Sequence, residues 1–556
     1  MPMRRGWLLF FLGACTSSDS QSPAALDAGR PDAGRVPDAQ VADAAGPKEE
    51  DAGSRLDAAV SDAGVPDAGN KRDAAVARDA GVQRDASAPV DAGKPPIDED
   101  AGPEDAGRPV TEDTFSMRVV ASGLDAPWEI TWGPDDRLWI TERAGWRVIR
   151  MHPATGSYSV ALEVPDVYQV SGQDGVLGMA LHPQLGKGMG ADFVYLAYTY
   201  DADPTSDVDQ RAKIVRFTYD VEVGTLGSPV SVIEGLPGSG DHNSGRLVFG
   251  PDNQLYYTIG DQGHNQFDNK CSRVRSQDLP TQTEFDNQDW STYQGKILRI
   301  GLDGAAPSDN PTIAGVRSHI FSYGHRNAQG IVFGPTGKLY ASEQGPKTDD
   351  ELNLIVAGKN YGWPRVVGYL DDAAYVYADW SASTPESCDS LGYSDYDVPD
   401  SVPTYVESSW SHIDYVTPFR TFYTVDNSFD FLNLDCEEPE EPYFICWPTV
   451  APSSLDIYVP GDSGLQSWGT ALLMPSLKKG SVLRVPLSAN GETSEGEVKE
   501  LFRTINRYRD LAIAPNKRTF YVITDSHGAT SGPTSGATLQ LDNPGSVLEF
   551  TYTALP

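Results

Sequence analysis

Arg326, Asn327 and Gln329 sit together in GHRNAQG, and a β-type alternation separates them from the acidic run Asp349, Asp350 and Glu351. A guanidinium is a planar fork suited to carboxylate or phosphate, whereas carboxylates supply the hard oxygens that Ca²⁺ prefers. The segment from Gly324 to Pro364 therefore carries ligands for an anion and for a cation. The simplest object needing both is an anionic cofactor held with a calcium ion. Lys478 in SLKKG and Arg507 and Arg509 in NRYRD flank strand-like segments. Each alone reads as a solvated surface charge. Their clustering in a chain poor in basic residues suits a planar polycarboxylate, and Arg507 and Arg509, as alternate residues, would share one side of an extended segment.

A second constellation lies upstream. Asp241-His242 precedes the stretch LVFGPDNQLYYTIGDQG, and Asp261 falls near its end. If that stretch is a hairpin, its ends return to one rim and His242 and Asp261 become neighbours. A carboxylate beside an imidazole fixes its tautomer and raises its basicity. On these residues alone, His242 reads equally as a structural histidine or a general base.

The elements that must position these residues recur. ITWGPDDRLWITERAG (130–145), LVFGPDNQLYYTIGDQG (247–263), IVFGPTGKLYASEQG (331–345) and LAIAPNKRTFYVITDSHG (511–528) each read as apolar alternation, a Pro-containing turn, an apolar-aromatic strand, then an acid and a glycine. A weaker copy begins at Met179, and TALLMPSLKKGSVLRVPL from Thr470 is a sixth. Strand, tight turn, strand is a hairpin, and long amphipathic helical patterns are absent. Repetition at blade-like intervals predicts an all-β fold: a six-bladed β-propeller of four-stranded antiparallel sheets, closed so that no long edge is left open. The intervals exceed the ~40–50 residues of a plain blade, so some blades carry insertions that build one face.

The 556 residues carry a formal charge of −36, which excludes nucleic acid as a natural partner. Arg4 and Arg5, the apolar run Trp7 to Leu12, and Gly13-Ala14-Cys15 fit a secretory signal too short to span a bilayer. Leu12 to Cys15 resembles a bacterial lipobox, which predicts a signal peptide over 1–14 and a lipid anchor on Cys15. Thr16 follows in place of the Asp of inner-membrane retention, so an outer-membrane or cell-surface lipoprotein is expected. From Thr16 to Asp113 the chain repeats Asp-Ala-Gly with 22 acidic and 10 basic residues. Too apolar-poor to offset its ordering entropy, the 15–113 segment reads as a disordered tether to a folded domain over 114–556. Cys436 and Cys446 share the loop CEEPEEPYFIC and in an exported chain are expected to pair. Cys271 and Cys388 could pair as well, which the sequence leaves open.

From about Phe115 onward, GHRNAQG, SEQGPKTDDELNLI, NYGWP, ICWPTVAPSS, MPSLKKG and NRYRD closely resemble the soluble quinoprotein glucose dehydrogenases, which use pyrroloquinoline quinone (PQQ). The resemblance likewise implies a six-bladed propeller and a bridge at Cys436 and Cys446. It assigns Gln173, Asp241, Arg326, Asn327, Gln329, Trp447, Thr449, Lys478, Arg507 and Arg509 to the PQQ pocket. Backbone carbonyls of Gly345 and Pro346 match ligands of an active-site Ca²⁺, and Glu351, Tyr361, Val367, Tyr369, Asp371 and Glu407 match positions holding further calcium. The implied reaction oxidises the anomeric hydroxyl of glucose or a related aldose to the lactone. His242 is then the base oriented by Asp261, PQQ receives the hydride, Ca²⁺ polarises the quinone, Arg326 stabilises the developing charge, and an external acceptor takes the electrons. A homodimer is implied as well. Ala328 stands where the family commonly has Pro, and Phe444 where a Tyr near the sugar is usual, which bears on sugar preference. The alternatives are a broader aldose dehydrogenase, a calcium-dependent propeller lactonase and a non-catalytic sugar-binding module; cofactor content separates the first from the other two.

Overall fold

The computed structural model describes residues 114–431, 443–532 and 536–553. Cys15, the signal and the tether lie outside them, as does Cys436; Cys446, at the end of a short 3₁₀ turn (Tyr443–Cys446), is disulfide-bonded.

The described residues form six four-stranded antiparallel sheets, as the repeats predict. Blade 1 comprises Pro127–Trp132, Leu138–Glu142, Arg147–Met151 and Tyr158–Glu163. Blade 2 comprises Val176–Leu181, Phe193–Asp201, Gln210–Asp220 and Thr225–Pro237. Blade 3 is built from Ser244–Phe249, Leu255–Ile259, Lys296–Ile300 and Ile320–Tyr323, and blade 4 from Ala328–Phe333, Leu339–Glu343, Asp350–Ile355 and Arg420–Phe422. Blade 5 is Asp456–Tyr458, Ala471–Pro475, Val482–Pro486 and Lys499–Leu501. Blade 6 combines Tyr508–Ile513, Thr519–Thr524 and Val547–Tyr552 with the N-terminal strand Phe115–Ala121, which pairs Phe115 to Tyr552 and closes the ring. Among the described residues the α-helix is confined to Gln282–Asp286.

The repeated Gly-Pro turn followed by an aromatic has a steric cause. A Cβ on Gly133 would lie 2.3 Å from Trp139 Nε1, and one on Gly250 2.5 Å from Tyr256 Cε2, because each ring folds back over the turn of its own hairpin. Second strands such as Leu138–Glu142 and Leu255–Ile259 are buried at every position, since neighbouring blades cover both faces. They therefore read as continuous apolar runs rather than alternating ones. The sixth sequence copy is displaced by one strand. Thr470 to Leu487 supplies the second and third strands of blade 5, whose first strand, Asp456–Tyr458, has no Gly-Pro turn after it.

The first strand of every blade is innermost, each touching the next around the ring. At the centre Arg246 ties the blades together: its guanidinium meets Glu129, lies 3.0 Å from Asp510 Oδ2, and donates to the carbonyls of Gln329 and Ser453, both at 3.0 Å. The loops after second strands and those entering first strands open on one rim. The long excursion 356–419, between the third and fourth strands of blade 4, leaves from the opposite rim, yet Trp363, Tyr375 and Trp380 reach the same mouth.

Candidate active site

His242 ends the connection into the first strand of blade 3, and Asp261 follows its second strand, so the hairpin returns both to one rim. Their contact is direct: His242 Nδ1 lies 2.7 Å from Asp261 Oδ1. Asp261 is buried and also accepts Gly263 N–H at 3.0 Å and the Trp363 indole N–H at 2.9 Å on Oδ2. Burial alone would push the Asp261 carboxyl up. His242 and Arg326 outweigh it and hold the group below the ordinary range. An ionised Asp261 accepts a hydrogen bond from Nδ1–H, leaving Nε2 as the acceptor nitrogen. Nε2 lies 3.8 Å from Asp241 Oδ1 and 3.5 Å from the Gln266 amide, on a side chain lining a cavity of about 680 Å³.

Cations line that cavity. Arg143, Arg326, Lys347, Lys478, Arg507 and Arg509 all contribute to its wall. Arg507, immediately before the strand Tyr508–Ile513, and Arg509 within it turn to one carboxylate: Arg509 makes a fork on Asp525, with Nε 3.0 Å from Oδ1 and Nη2 2.8 Å from Oδ2, while Arg507 Nε reaches Oδ2 at 3.3 Å. Burial works against the Asp525 carboxylate, but Arg509 and Arg507 hold it down at about 2. Lys478 donates to Trp447 O at 2.8 Å and Thr449 Oγ at 2.6 Å. Arg326 lies 5.4 Å over the Trp363 ring and donates to Gln344 O and Gln266 Oε1, while its buried Nε has no partner among the described residues.

Gln173, Asp241, Gln329, Trp447, Thr449, Gly345 and Pro346 also line the cavity. Asn327 does not; it is buried behind, bonded to Ser244, Gln329 and Gln344. Asp350, read above as offering oxygens to a cation, accepts backbone N–H groups instead: Gly345 at 2.9 Å on one oxygen, Val450 at 2.5 Å and Ala451 at 2.8 Å on the other. It thereby pins the Gly345 turn to the segment carrying Thr449.

The remaining positions associated with calcium gather away from the cavity wall, in the loop around residues 361–372. Glu351 accepts Gly368 N–H at 2.7 Å, and Glu407 accepts those of Val367 and Asp372 at 2.9 and 3.0 Å and of Asp371 at 3.3 Å. Burial pushes the Glu407 carboxyl up to about 7, and burial together with Glu343 raises Glu351 well above the ordinary range. Tyr361 donates to Leu354 O, and Tyr369 is exposed. Among the described residues no group of three or more His, Cys, Asp or Glu side chains is gathered for a metal.

Several cavity residues had no motif to mark them. Gln266 and Phe267 come from the loop after Asp261, and Trp380 and Tyr393 from the 356–419 excursion. These two walls are joined by a disulfide between Cys271 and Cys388, whose Cα atoms are 5.6 Å apart. Asp525 did have a signal: it closes the sixth-blade repeat at the position Asp261 holds in the third.

A family model described as Glucose / Sorbosone dehydrogenase matches residues 124–383. The chain is 42% identical over 445 residues to quinoprotein glucose dehydrogenase B of Acinetobacter calcoaceticus, covering 80% of this chain and 92% of that protein. Aldose sugar dehydrogenase YliI of Escherichia coli K12 is 27% identical over 426 residues, covering 74% of this chain and 90% of that one. Among solved structures, the PQQ-bound aldose sugar dehydrogenase of Streptomyces coelicolor aligns with a TM-score of 0.50 at 26% identity, over 79% of this chain and 98% of that chain.

Proposed function

The chain belongs to the glucose/sorbosone dehydrogenase family of oxidoreductases, and from that premise we propose that it oxidises the C1 hydroxyl of glucose or a related aldose to the lactone, with PQQ and Ca²⁺ as cofactors and an external electron acceptor. The observation that carries this reading is the open Nε2 of a carboxylate-anchored His242 at the mouth of a cation-walled cavity.

The residues present fit PQQ. Arg326, Lys478, Arg507 and Arg509 line the cavity where carboxylates would lie, and the buried Nε of Arg326, without a partner among the described residues, is a donor awaiting an acceptor. Calcium would be held at the cavity by the carbonyls of Gly345 and Pro346. Further ions would be held near Glu351 and Glu407, two buried carboxylates with no ion pair among the described residues. Bound there, PQQ would supply the acceptor for the hydride leaving C1, and calcium its Lewis acidity.

The chain's own groups supply the rest. His242 Nε2 accepts the proton of the C1 hydroxyl, and Asp261, ionised and fixed by the Trp363 indole, stabilises the imidazolium that forms. Asp241, 3.8 Å from Nε2, adds a second negative charge beside that cation. Arg326 directs an N–H toward negative charge developing in the cavity.

The test uses the full chain stripped of cofactor, titrated with PQQ and Ca²⁺ and assayed with glucose and an artificial acceptor dye. Turnover requiring both additions and lost in His242→Asn is expected; a folded chain with no PQQ uptake and no dye reduction would sink the reading. We propose in addition that the protein is exported and held at a membrane by lipid on Cys15, supported by the lipobox-like Leu12 to Cys15. Membrane association unchanged in Cys15→Ala would count against that.

A further inference from the structure

Arg143 lies just beyond the second strand of blade 1, immediately after Glu142, and its side chain is buried against the cavity with the residue 5% exposed. One edge of its guanidinium is used locally: Nη1 donates to Ser171 O at 3.1 Å and Asp174 O at 3.2 Å, the loop that carries Gln173. Its remaining N–H groups have no acceptor among the described residues, and no carboxylate is within ion-pairing distance. Buried guanidiniums are normally paired, because an uncompensated buried charge is costly.

The surroundings sharpen the point. Asp525 feels Arg509, Arg507 and Arg143, so three guanidiniums share one carboxylate. Burial lowers both Arg143 and Arg507; Asp525 offsets this in each, and Arg509 adds repulsion in each. With Arg509 already using both oxygens of Asp525, and Asp174 and Asp125 acting on Arg143 without ion-pairing to it, the three guanidiniums stay in excess of the one carboxylate they share. A neutral sugar does not need that excess. An anion bearing more than one carboxylate does.

We propose that Arg143 is a further cofactor-binding residue, the third guanidinium of a carboxylate-binding wall with Arg507 and Arg509; this rests on the reading of PQQ as the cofactor. Its free N–H groups take a carboxylate of the cofactor while Nη1 continues to hold the Ser171–Asp174 turn. The fixed fork explains the need for Arg rather than Lys: one side chain must serve two backbone carbonyls and a carboxylate in one plane.

The experiment is calorimetric titration of the cofactor-free full chain with PQQ at constant Ca²⁺, comparing wild type with Arg143→Gln at two salt concentrations, with circular dichroism and thermal melting to establish folding. A loss of affinity of at least tenfold at low salt, shrinking at high salt, is expected, because a screened charge contact is being removed. Wild-type affinity in folded R143Q would overturn the assignment, whatever happens to turnover, and would leave Arg143 as a support for the Gln173 loop. A wild-type chain that takes up no PQQ would overturn the cofactor reading itself, and this assignment with it. Should R143Q fail to fold, Arg143→Lys decides: it keeps a charge and a donor for the loop but no fork. Weaker binding supports the proposal, and affinity equal to wild type overturns it.

Discussion

Asp261→Asn changes one atom and tests the whole catalytic reading. In the wild type Oδ1 receives the Nδ1–H of His242 and the N–H of Gly263, while Oδ2 receives the indole N–H of Trp363. An amide has only one acceptor oxygen. It keeps that oxygen where two donors point, which turns its NH₂ toward the indole N–H, donor against donor. A buried donor left unmet costs about 1–3 kcal/mol of stability. The catalytic loss is separate. Removing a negative charge beside the imidazolium forfeits at most about 4 kcal/mol, the interaction of unit charges ~4 Å apart at an effective dielectric near 20. At about 1.4 kcal/mol per decade, kcat should fall by about 10²- to 10³-fold. The two effects are separable by adding Trp363→Phe, which removes the opposed donor and retains a ring beneath Arg326. Melting and steady-state dye reduction on the double variant should show stability recovered and kcat still depressed. Recovery of kcat in D261N/W363F would refute the electrostatic role of Asp261 and leave it a structural acceptor.

Two further perturbations follow from the same geometry. Because burial raises Glu407 from an ordinary 4.5 to about 7, the folded chain binds a proton there more tightly than the unfolded one; its stabilising contribution is full below the ordinary range and lost as pH climbs through about 7. The calcium-free protein should therefore melt at lower temperature at pH 8 than at pH 5.5, less steeply in Glu407→Gln, with added Ca²⁺ opposing the fall; equal slopes in both proteins would exclude Glu407 as a source. Replacing Cys271 and Cys388 together by Ser opens a link spanning 117 residues and should cost roughly 2–4 kcal/mol in denaturant unfolding; since the bridge joins two cavity walls, KM for the aldose should rise severalfold with little change in kcat, and an unchanged KM would confine the bridge to stability.

Much of this was legible because one hairpin recurs. The Gly-Pro turn and the following aromatic are visible in the sequence because the steric demand repeats at Gly133 and Gly250. The register of blade 5 was not legible, since its first strand carries no such turn. Long-range partners were equally hidden. Arg509 and Gln329 meet across 180 residues, and Ser171 and Gly240 across 69, distances at which local patterning says nothing. Arg143 lay inside a recognised repeat, in ITERAG, yet only the placement of blade 6 beside blade 1 reveals the excess positive charge it joins.

The acid closing each repeat shows where a shared pattern stops determining function. Glu142 and Glu343 end second strands while Asp261 and Asp525 lie just beyond theirs, and each holds a basic partner: Arg147, His325, His242, and Arg507 with Arg509, respectively for Glu142, Glu343, Asp261 and Asp525. Two of these pairs are imidazole–carboxylate pairs of the same construction, with His325 Nδ1 2.9 Å from Glu343 Oε2. In sequence the two look alike, a His shortly before a first strand and an acid at or just past the end of the second. They differ at the far nitrogen. His325 Nε2 is met by Ser322 Oγ at 2.9 Å and its ring is stacked 4.7 Å from Tyr361, fully buried. His242 Nε2 has instead a long 3.5 Å approach from the Gln266 amide and Asp241 Oδ1 at 3.8 Å, at the cavity. A base needs an acceptor nitrogen that substrate can reach, so the pair in blade 3 can take a proton and the pair in blade 4 can only hold its loop. What separates them is Ser322, contributed by the fourth strand of blade 3, a strand outside both hairpins.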